Sequence, residues 1–203
     1  MNRNRLVYLC ICSATALSAT AMAADSKIDT HSTGPAVAPV IRASTNTIIN
    51  YPGGTAPANV VGTFDAGDST FNRPLTCSTL SGTGTAVRFD TITLTNSGAN
   101  PATVNIRLGQ AGSPAAACVD PFDPYLVEYN GSFNPASPLV NCLQVNDDTA
   151  AAADRCPSFT GISVPSGATR VYVLTTFGNG VALNYEVTFA GTTPVSLQSF
   201  DVE

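Results

Sequence analysis

The sequence predicts an all-β protein, an antiparallel β-sandwich or jelly roll with a flexible N-terminal arm. From about residue 45 onward, short runs of β-branched and aromatic residues alternate with clusters of Gly, Asn, Pro and Ser. Several of these runs alternate apolar and polar residues with a period of two, which places one face of a strand in a core. A helical period appears only weakly, over residues 148–155.

The first 23 residues have the organisation of a secretory signal peptide. Two arginines lie within the first five residues, and the apolar run from Leu6 to about Ala19 is too short to span a bilayer. The Ala-Met-Ala at 21–23 is the small-x-small pattern that precedes a cleavage site. We therefore expect cleavage before Ala24 and a mature chain that is secreted, periplasmic or on the cell surface, with no later membrane span.

Residues 24–44 are rich in Ala, Ser, Thr and Pro and show no periodicity, so they are predicted to form a flexible arm. The remaining residues, 45–203, are enough for a single β-sandwich domain with a sizeable core.

Three segments show a clear strand pattern, over residues 104–109, 170–177 and 183–189. The apolar positions of the first and third segments are predicted to face inward: Val104, Ile106 and Leu108; Leu183, Tyr185, Val187 and Phe189. In the second segment Val171, Val173 and Phe177 are predicted to lie on one face. The Gly-Asn-Gly at 178–180 between the last two segments is a hairpin signal. Residues 192–203 alternate again and predict a final strand.

Residues 85–96 are less regular. Val87 and Phe89 share one parity, whereas Ile92 and Leu94 have the other. Because a regular strand cannot change the side of its apolar face, this slip predicts a bulge or bend near residues 90–91.

The charge of the chain limits its partners. The formal net charge is −5, and loss of Arg3 and Arg5 from nine basic residues leaves seven against fourteen acidic ones. Such an acidic chain without a basic cluster is not expected to bind nucleic acid or anionic membranes.

Four cysteines remain after the predicted signal peptide: Cys77, Cys118, Cys142 and Cys156. An even number in an exported chain favours two disulfides over a metal site or a thiol nucleophile. Three pairings are formally possible. We favour Cys142–Cys156, which are close in sequence across one loop, and therefore Cys77–Cys118.

A set of short motifs occurs in order between residues 120 and 191. They are "DPYLVEYNG" at 123–131, "NDD" at 146–148, Ser-Gly at 166–167 before "RVYVLTTF", and "YEVTF" at 185–189. In this order they resemble the pre-peptidase C-terminal (PPC) type of β-sandwich found in bacterial exported proteins, over about residues 60–191. The added cysteines and the lack of an attached peptidase depart from that pattern.

The resemblance implies a non-catalytic module that accompanies exported enzymes or occurs in surface proteins. Some members of this group bind calcium, and some adhere to protein or polysaccharide.

The residues themselves offer little for catalysis. The single histidine, His31, lies in the predicted arm, and cysteines tied in pairs leave no thiolate. Asp147 and Asp148 are adjacent, so on a strand they would face opposite ways, and the chain has no Trp to form a sugar platform. We therefore predict that the protein is not an enzyme.

Calcium is the sharper hypothesis, because it binds six to eight oxygens and tolerates irregular geometry. Six residues in loops at the same expected end of the sandwich could supply such oxygens: Asp120, Asp123, Asn146, Asp147, Asp148 and Asp154. The alternative is that these residues only form turns, as Asn and Asp commonly do.

The expected function is thus that of an exported binding or structural module, stabilised by calcium, that adheres to an extracellular protein or polysaccharide. A second hypothesis is an accessory partner of a secreted peptidase, such as an inhibitor or export chaperone. A third, less favoured, is a carboxylate-dependent hydrolase.

Overall fold

The computed structural model describes residues 40–42, 46–52, 56–149 and 153–192. Within these ranges the chain forms thirteen strands and no helix. They are β1 (Val40–Arg42), β2 (Asn46–Tyr51), β3 (Asn59–Phe64), β4 (Thr70–Phe71), β5 (Pro74–Thr76), β6 (Thr79–Leu80), β7 (Val87–Asn96), β8 (Ala102–Gln110), β9 (Pro124–Asn130), β10 (Cys142–Asn146), β11 (Ser158–Val164), β12 (Thr169–Thr176) and β13 (Leu183–Thr192). No helix in this part of the chain is long and apolar enough to span a bilayer.

The strands build the β-sandwich that the sequence predicts. One sheet has the order β1-β3-β13-β8-β11, and the other has the order β10-β9-β12-β7-β2, with β4 also paired to β7. Strands β5 and β6 form a separate hairpin. The pairs are antiparallel except β1 with β3 and β2 with β7, which are parallel.

The main core lies between the sheets and confirms the inward faces predicted for two strands. Apolar side chains at alternate positions of β8 and β13 are buried there: Val104, Ile106, Leu108, Leu183, Tyr185, Val187 and Phe189. Each large side chain buried in this way contributes about 1.5–3 kcal/mol to folding, so the alternation accounts for the orientation of both strands.

A second apolar cluster covers the outer face of the sheet that contains β9 and β12. Val171 and Val173 belong to it and Phe177 packs against it, so the predicted shared face of these three residues is confirmed. The opposite face of β12 is also buried, since Tyr172 and Leu174 lie in the core between the sheets. Strand β12 is therefore covered on both sides.

The predicted bulge in 85–96 is wrong. Strand β7 pairs with β12 in an unbroken register from Phe89 to Thr95. Its inner face begins with the buried polar residue Asp90 and continues with Ile92 and Leu94. The apolar pattern changes side because the outer cluster covers only the first part of the strand, not because the backbone slips.

The predicted hairpin across 178–180 is also wrong, because β12 and β13 lie in different sheets. Both edges of β12 are already paired, one with β7 and the other with β9. The connecting loop therefore crosses from one sheet to the other. The Asn179 side chain holds this loop by accepting the N–H of Ala86 and donating to the Thr85 hydroxyl.

The predicted N-terminal segments need one correction. Residues Val40–Arg42 fall within the predicted arm, 24–44, but form β1 and pair with β3 in the sandwich. The predicted signal peptide, the rest of the arm and residues 193–203 of the predicted final strand lie outside the described residues.

Two disulfides join the four cysteines as expected, but the favoured pairing is wrong. The bonds are Cys77–Cys142 and Cys118–Cys156. Cys142 begins β10 at the edge of one sheet, beside the β5–β6 hairpin, whereas Cys156 precedes β11 in the other sheet. Closeness in sequence was a poor guide because the loop between them passes from sheet to sheet.

Candidate functional site

The pairing of β9 with β10 brings three carboxylates together. The two strands are antiparallel, with Leu126 opposite Asn146, so the residue before β9 lies beside the residues after β10. Carboxylate oxygens of Asp123, Asp147 and Asp148 consequently lie within 4.8 Å of one another. These three residues are called the acidic cluster below.

The acidic cluster forms part of the wall of a pocket with a volume of about 300 Å³. The residues that line it are Asp123, Asp147, Asp148, Thr149, Asp154, Arg155 and Phe177. Asp123 and Asp147 are half-buried and Asp148 is exposed, so one side of the acidic cluster is in contact with solvent.

The other three predicted ligands have partners of their own. Asp154 accepts two hydrogen bonds from Arg107 and one from each of the backbone N–H groups of Cys118 and Cys156. Burial alone would raise the pKa of Asp154, but these hydrogen bonds hold it below its usual range. Asp154 lines the pocket but serves mainly to fix the loop around the Cys118–Cys156 disulfide.

Asp120 and Asn146 are also engaged outside the acidic cluster. Asp120 is exposed and forms an ion pair of 2.8 Å with Arg155. The Asn146 side chain accepts the backbone N–H of Ser158 and so joins the end of β10 to the start of β11. The structure therefore brings together three of the six predicted ligands.

Two arginines that the sequence analysis did not single out balance the charge of the acidic cluster. Arg155 pairs with Asp123 at 3.2 Å as well as with Asp120. Its side chain is 43% exposed, so this pairing is weak and easily exchanged. Arg155 can therefore turn away if a stronger cation approaches Asp123.

Arg73 is the second arginine and is fully buried. Its guanidinium carbon lies 4.0 Å from the centre of the Tyr125 ring and 4.6 Å from that of Phe177. Its Nε donates to the backbone carbonyl of Phe177. Gly84 makes room for this side chain, since a Cβ there would lie 2.5 Å from Nε. No sequence pattern indicated that Arg73 would be buried near the pocket.

The acidic cluster is electrostatically strained. Burial, together with the charges of Asp148 and Asp123, raises the pKa of Asp147 to about 6, although Arg73 and Arg155 oppose the shift. Burial also raises the pKa of Asp123, against the attraction of Arg155. In addition, Oδ1 of Asp147 is buried and has no hydrogen-bond partner among the described residues. A cation at this point would satisfy that oxygen and relieve the repulsion.

The arrangement suits a hard divalent cation. Three carboxylates present up to six oxygens, and calcium takes six to eight from carboxylates, carbonyls and water. The residues present therefore fit calcium, with Asp123, Asp147 and Asp148 as the side chains that would hold it.

Because burial and the neighbouring carboxylates disfavour the charged form of Asp147, Asp147→Asn should stabilise the metal-free protein at neutral and alkaline pH. The folded-state pKa of Asp147 is about 6, whereas an unfolded Asp has a pKa of about 3.9. Because the folded state binds this proton more tightly, the contribution of Asp147 to stability is greatest below about pH 4 and is lost as the pH rises through about 6. Allowing for its partial exposure, the loss is about 1–2 kcal/mol.

Urea unfolding in the presence of a chelator, at pH 4 and pH 8, measures this effect. The Asn variant should exceed the wild type in free energy of unfolding at pH 8 and differ little from it at pH 4. Parallel pH profiles for the two proteins would show that Asp147 is not strained.

Comparison with known proteins gives structural neighbours. No protein-family model matches the sequence, and no curated protein matches it either. Among solved structures, the pre-peptidase C-terminal domain of a collagenase from Bacillus anthracis is 13% identical, covers 71% of this chain and 94% of that domain, and has a TM-score of 0.39. A periplasmic inhibitor of g-type lysozyme from Aeromonas hydrophila is 11% identical, covers 75% of this chain and 99% of the inhibitor, and has a TM-score of 0.40. A domain of the type that the motifs resemble is thus among the solved structures to which this chain is similar.

Proposed function

We propose that the protein is an exported, non-catalytic binding or structural module, stabilised by calcium held by Asp123, Asp147 and Asp148. The observation that carries the proposal is the acidic cluster itself, in which three carboxylates converge on one point and a buried oxygen of Asp147 lacks a partner. An extracellular protein or polysaccharide is the proposed partner of the module.

The position of the acidic cluster explains how calcium would stabilise the fold. Asp123 precedes β9, whereas Asp147 and Asp148 follow β10, which is an edge strand of its sheet. A shared cation would tie the end of this edge strand to its neighbour. The cation would also replace Arg155 as the partner of Asp123, because that ion pair is weak. Arg155 would then keep only its ion pair with Asp120.

Two features support export. The two disulfides indicate an oxidising compartment, extracellular or periplasmic. The predicted signal peptide at residues 1–23 agrees with that location. The same disulfides engage all four cysteines that follow the signal peptide, so none of the four is a thiol nucleophile.

Calcium titration of the thermal midpoint tests the metal site. Extracellular calcium modules bind with a Kd of about 0.1–1 mM, so about 10 mM calcium should raise the free energy of unfolding by about 1–3 kcal/mol. For a domain of this size the midpoint should rise by about 3–10 °C relative to the protein in chelator. Differential scanning calorimetry at pH 7.5 gives both values.

Matched variants separate the acidic cluster from general charge effects. Asp147→Asn should abolish the shift, since it removes a charged ligand from the centre of the cluster. Asp120→Asn makes the same charge change nearby but outside the cluster, and should retain most of the shift. A wild-type midpoint that calcium leaves unmoved, or equal loss in both variants, would rule out this site.

A further inference from the structure

The tip of the β5–β6 hairpin, residues 75–80, lies on the surface of the molecule. Cys77 is half-buried, whereas the other five residues of the tip are exposed. Leu75 and Leu80 are 54% and 43% exposed. The tip therefore has little apolar contact to hold it against the sandwich.

Hydrogen bonds do little more to anchor the tip. The hydrogen bonds among Thr76, Ser78 and Thr79 stay within the tip. The Tyr125 hydroxyl reaches the Leu75 carbonyl at 3.4 Å, but its shorter bond, 2.9 Å, is to Pro74 at the base of the hairpin. The covalent link from Cys77 to Cys142 is thus the main attachment of the tip.

The base of the hairpin is held independently of this disulfide. Arg73 and Pro74 are buried. The backbone N–H of Arg73 donates to Gly84, and its carbonyl accepts from Ser81. On the other side, β10 keeps its ladder with β9 from Gln144 to Asn146. Opening the disulfide therefore frees the tip, while the base of the hairpin keeps its hydrogen bonds and β10 keeps its pairing with β9.

The two disulfides differ in access to solvent. Cys118 and Cys156 are 2% and 0% exposed and belong to the core between the sheets. Cys77 and Cys142 are half-buried, at an exposed hairpin and the start of an edge strand. Thiol–disulfide exchange requires a thiolate to reach a sulfur, so only the outer bond is open to attack in the folded protein.

We propose that Cys77–Cys142 is a redox-sensitive latch, which a dithiol reductant opens while Cys118–Cys156 stays closed. One thiolate of the dithiol attacks a sulfur of the latch and forms a mixed disulfide, and its second thiol then displaces the protein. The dithiol is oxidised to a disulfide. Cys77 and Cys142 take up its two electrons and two protons and become thiols.

The consequence is a conformational change limited to the surface. Release of the tip lets Leu75 and Leu80 move away from the sandwich. Val140 and Leu143, which flank Cys142 in the sequence, are already exposed. This property goes beyond the proposed calcium-stabilised module and does not depend on it.

Reduction of the native protein tests the latch. The folded chain is treated with dithiothreitol, sampled over time, and quenched with iodoacetamide, and each cysteine is followed by peptide mass spectrometry. Cys77 and Cys142 should be alkylated at least about tenfold faster than Cys118 and Cys156, which serve as internal controls. Equal rates for the two pairs, or faster labelling of the inner pair, would overturn the proposal.

Limited proteolysis tests whether the tip is released. Thermolysin, which cleaves beside large apolar residues, should cut the reduced protein at Leu75 or Leu80 at least about tenfold faster than the oxidised protein. The double variant Cys77→Ser/Cys142→Ser should be cut at the same place under oxidising conditions. If the tip resists equally in the reduced and oxidised wild type, the disulfide is not a latch.

Discussion

Replacement of both Cys118 and Cys156 by serine should lower the free energy of unfolding by about 5–7 kcal/mol. The bond closes a chain segment with a sequence separation of 38, which is worth about 4 kcal/mol on the chain-entropy estimate. The two serine hydroxyls would in addition lie in the apolar core between the sheets, at a further cost of about 1–3 kcal/mol. Urea unfolding under oxidising conditions gives the difference.

The outer disulfide provides the control for this measurement. Cys77→Ser/Cys142→Ser removes a cross-link with a sequence separation of 65, whose closure entropy is similar, also about 4 kcal/mol. Its hydroxyls would lie at the half-buried edge of the sheet and cost little. The inner pair should therefore be the more costly to lose. An equal loss, or a greater loss for the outer pair, would contradict the assignment of Cys118 and Cys156 to the core.

Tyr185→Phe should destabilise the fold by about 3 kcal/mol at pH 8 but by only about 1 kcal/mol at pH 4. The Tyr185 hydroxyl, on β13, donates a hydrogen bond of 2.6 Å to the carboxylate of Asp90, on β7 of the opposite sheet. Both residues are buried, so the substitution leaves a carboxylate in the core without this donor. The cost is greatest when that carboxylate is charged.

The sign of the pH dependence follows from the pKa of Asp90. Burial raises this pKa, the charges of Asp68 and Asp65 add to the effect, and the hydrogen bond from Tyr185 opposes it. Loss of the hydroxyl raises the folded-state pKa further above the unfolded value of about 3.9. The folded variant then binds a proton more tightly than its unfolded chain, and stability falls as the pH rises from about 4 through the folded-state pKa.

Asp90→Asn is the matched background for this test. The amide oxygen still accepts from Tyr185, but the side chain carries no charge. Tyr185→Phe in that background should cost about 1 kcal/mol at every pH, as expected for one neutral hydrogen bond. If Tyr185→Phe in the wild-type background costs only about 1 kcal/mol at both pH 4 and pH 8, Asp90 is not charged in the folded protein at pH 8.

The acidic cluster was only partly predictable from the sequence. Asp123, Asp147 and Asp148, which were expected in loops at the same end of the sandwich, do converge, whereas Asn146 does not. Asp154 was placed in the same set, but Arg107 and two backbone N–H groups hold it. Arg107 is 47 residues away in sequence, so no local pattern could reveal that pairing. Arg73 was missed for the same reason, since its aromatic partners come from distant parts of the chain.

The errors in the predicted fold have a common origin. The bulge near residues 90–91 and the hairpin at 178–180 were both inferred from neighbouring residues alone. In fact the second apolar cluster covers part of one face of β7, and both edges of β12 are already paired. Each outcome depends on segments that are far away in the sequence.

The sequence by itself determined the all-β class and the alternating faces of β8, β12 and β13, because side chains alternate across a strand and apolar side chains are driven out of water. It also determined that the cysteines form disulfides, through their even number and the predicted export. Only the tertiary structure decided which strands pair, which cysteines join and which carboxylates meet. Those choices depend on contacts between distant segments, whose free energy comes from packing two sheets together and is not encoded in any short stretch of chain.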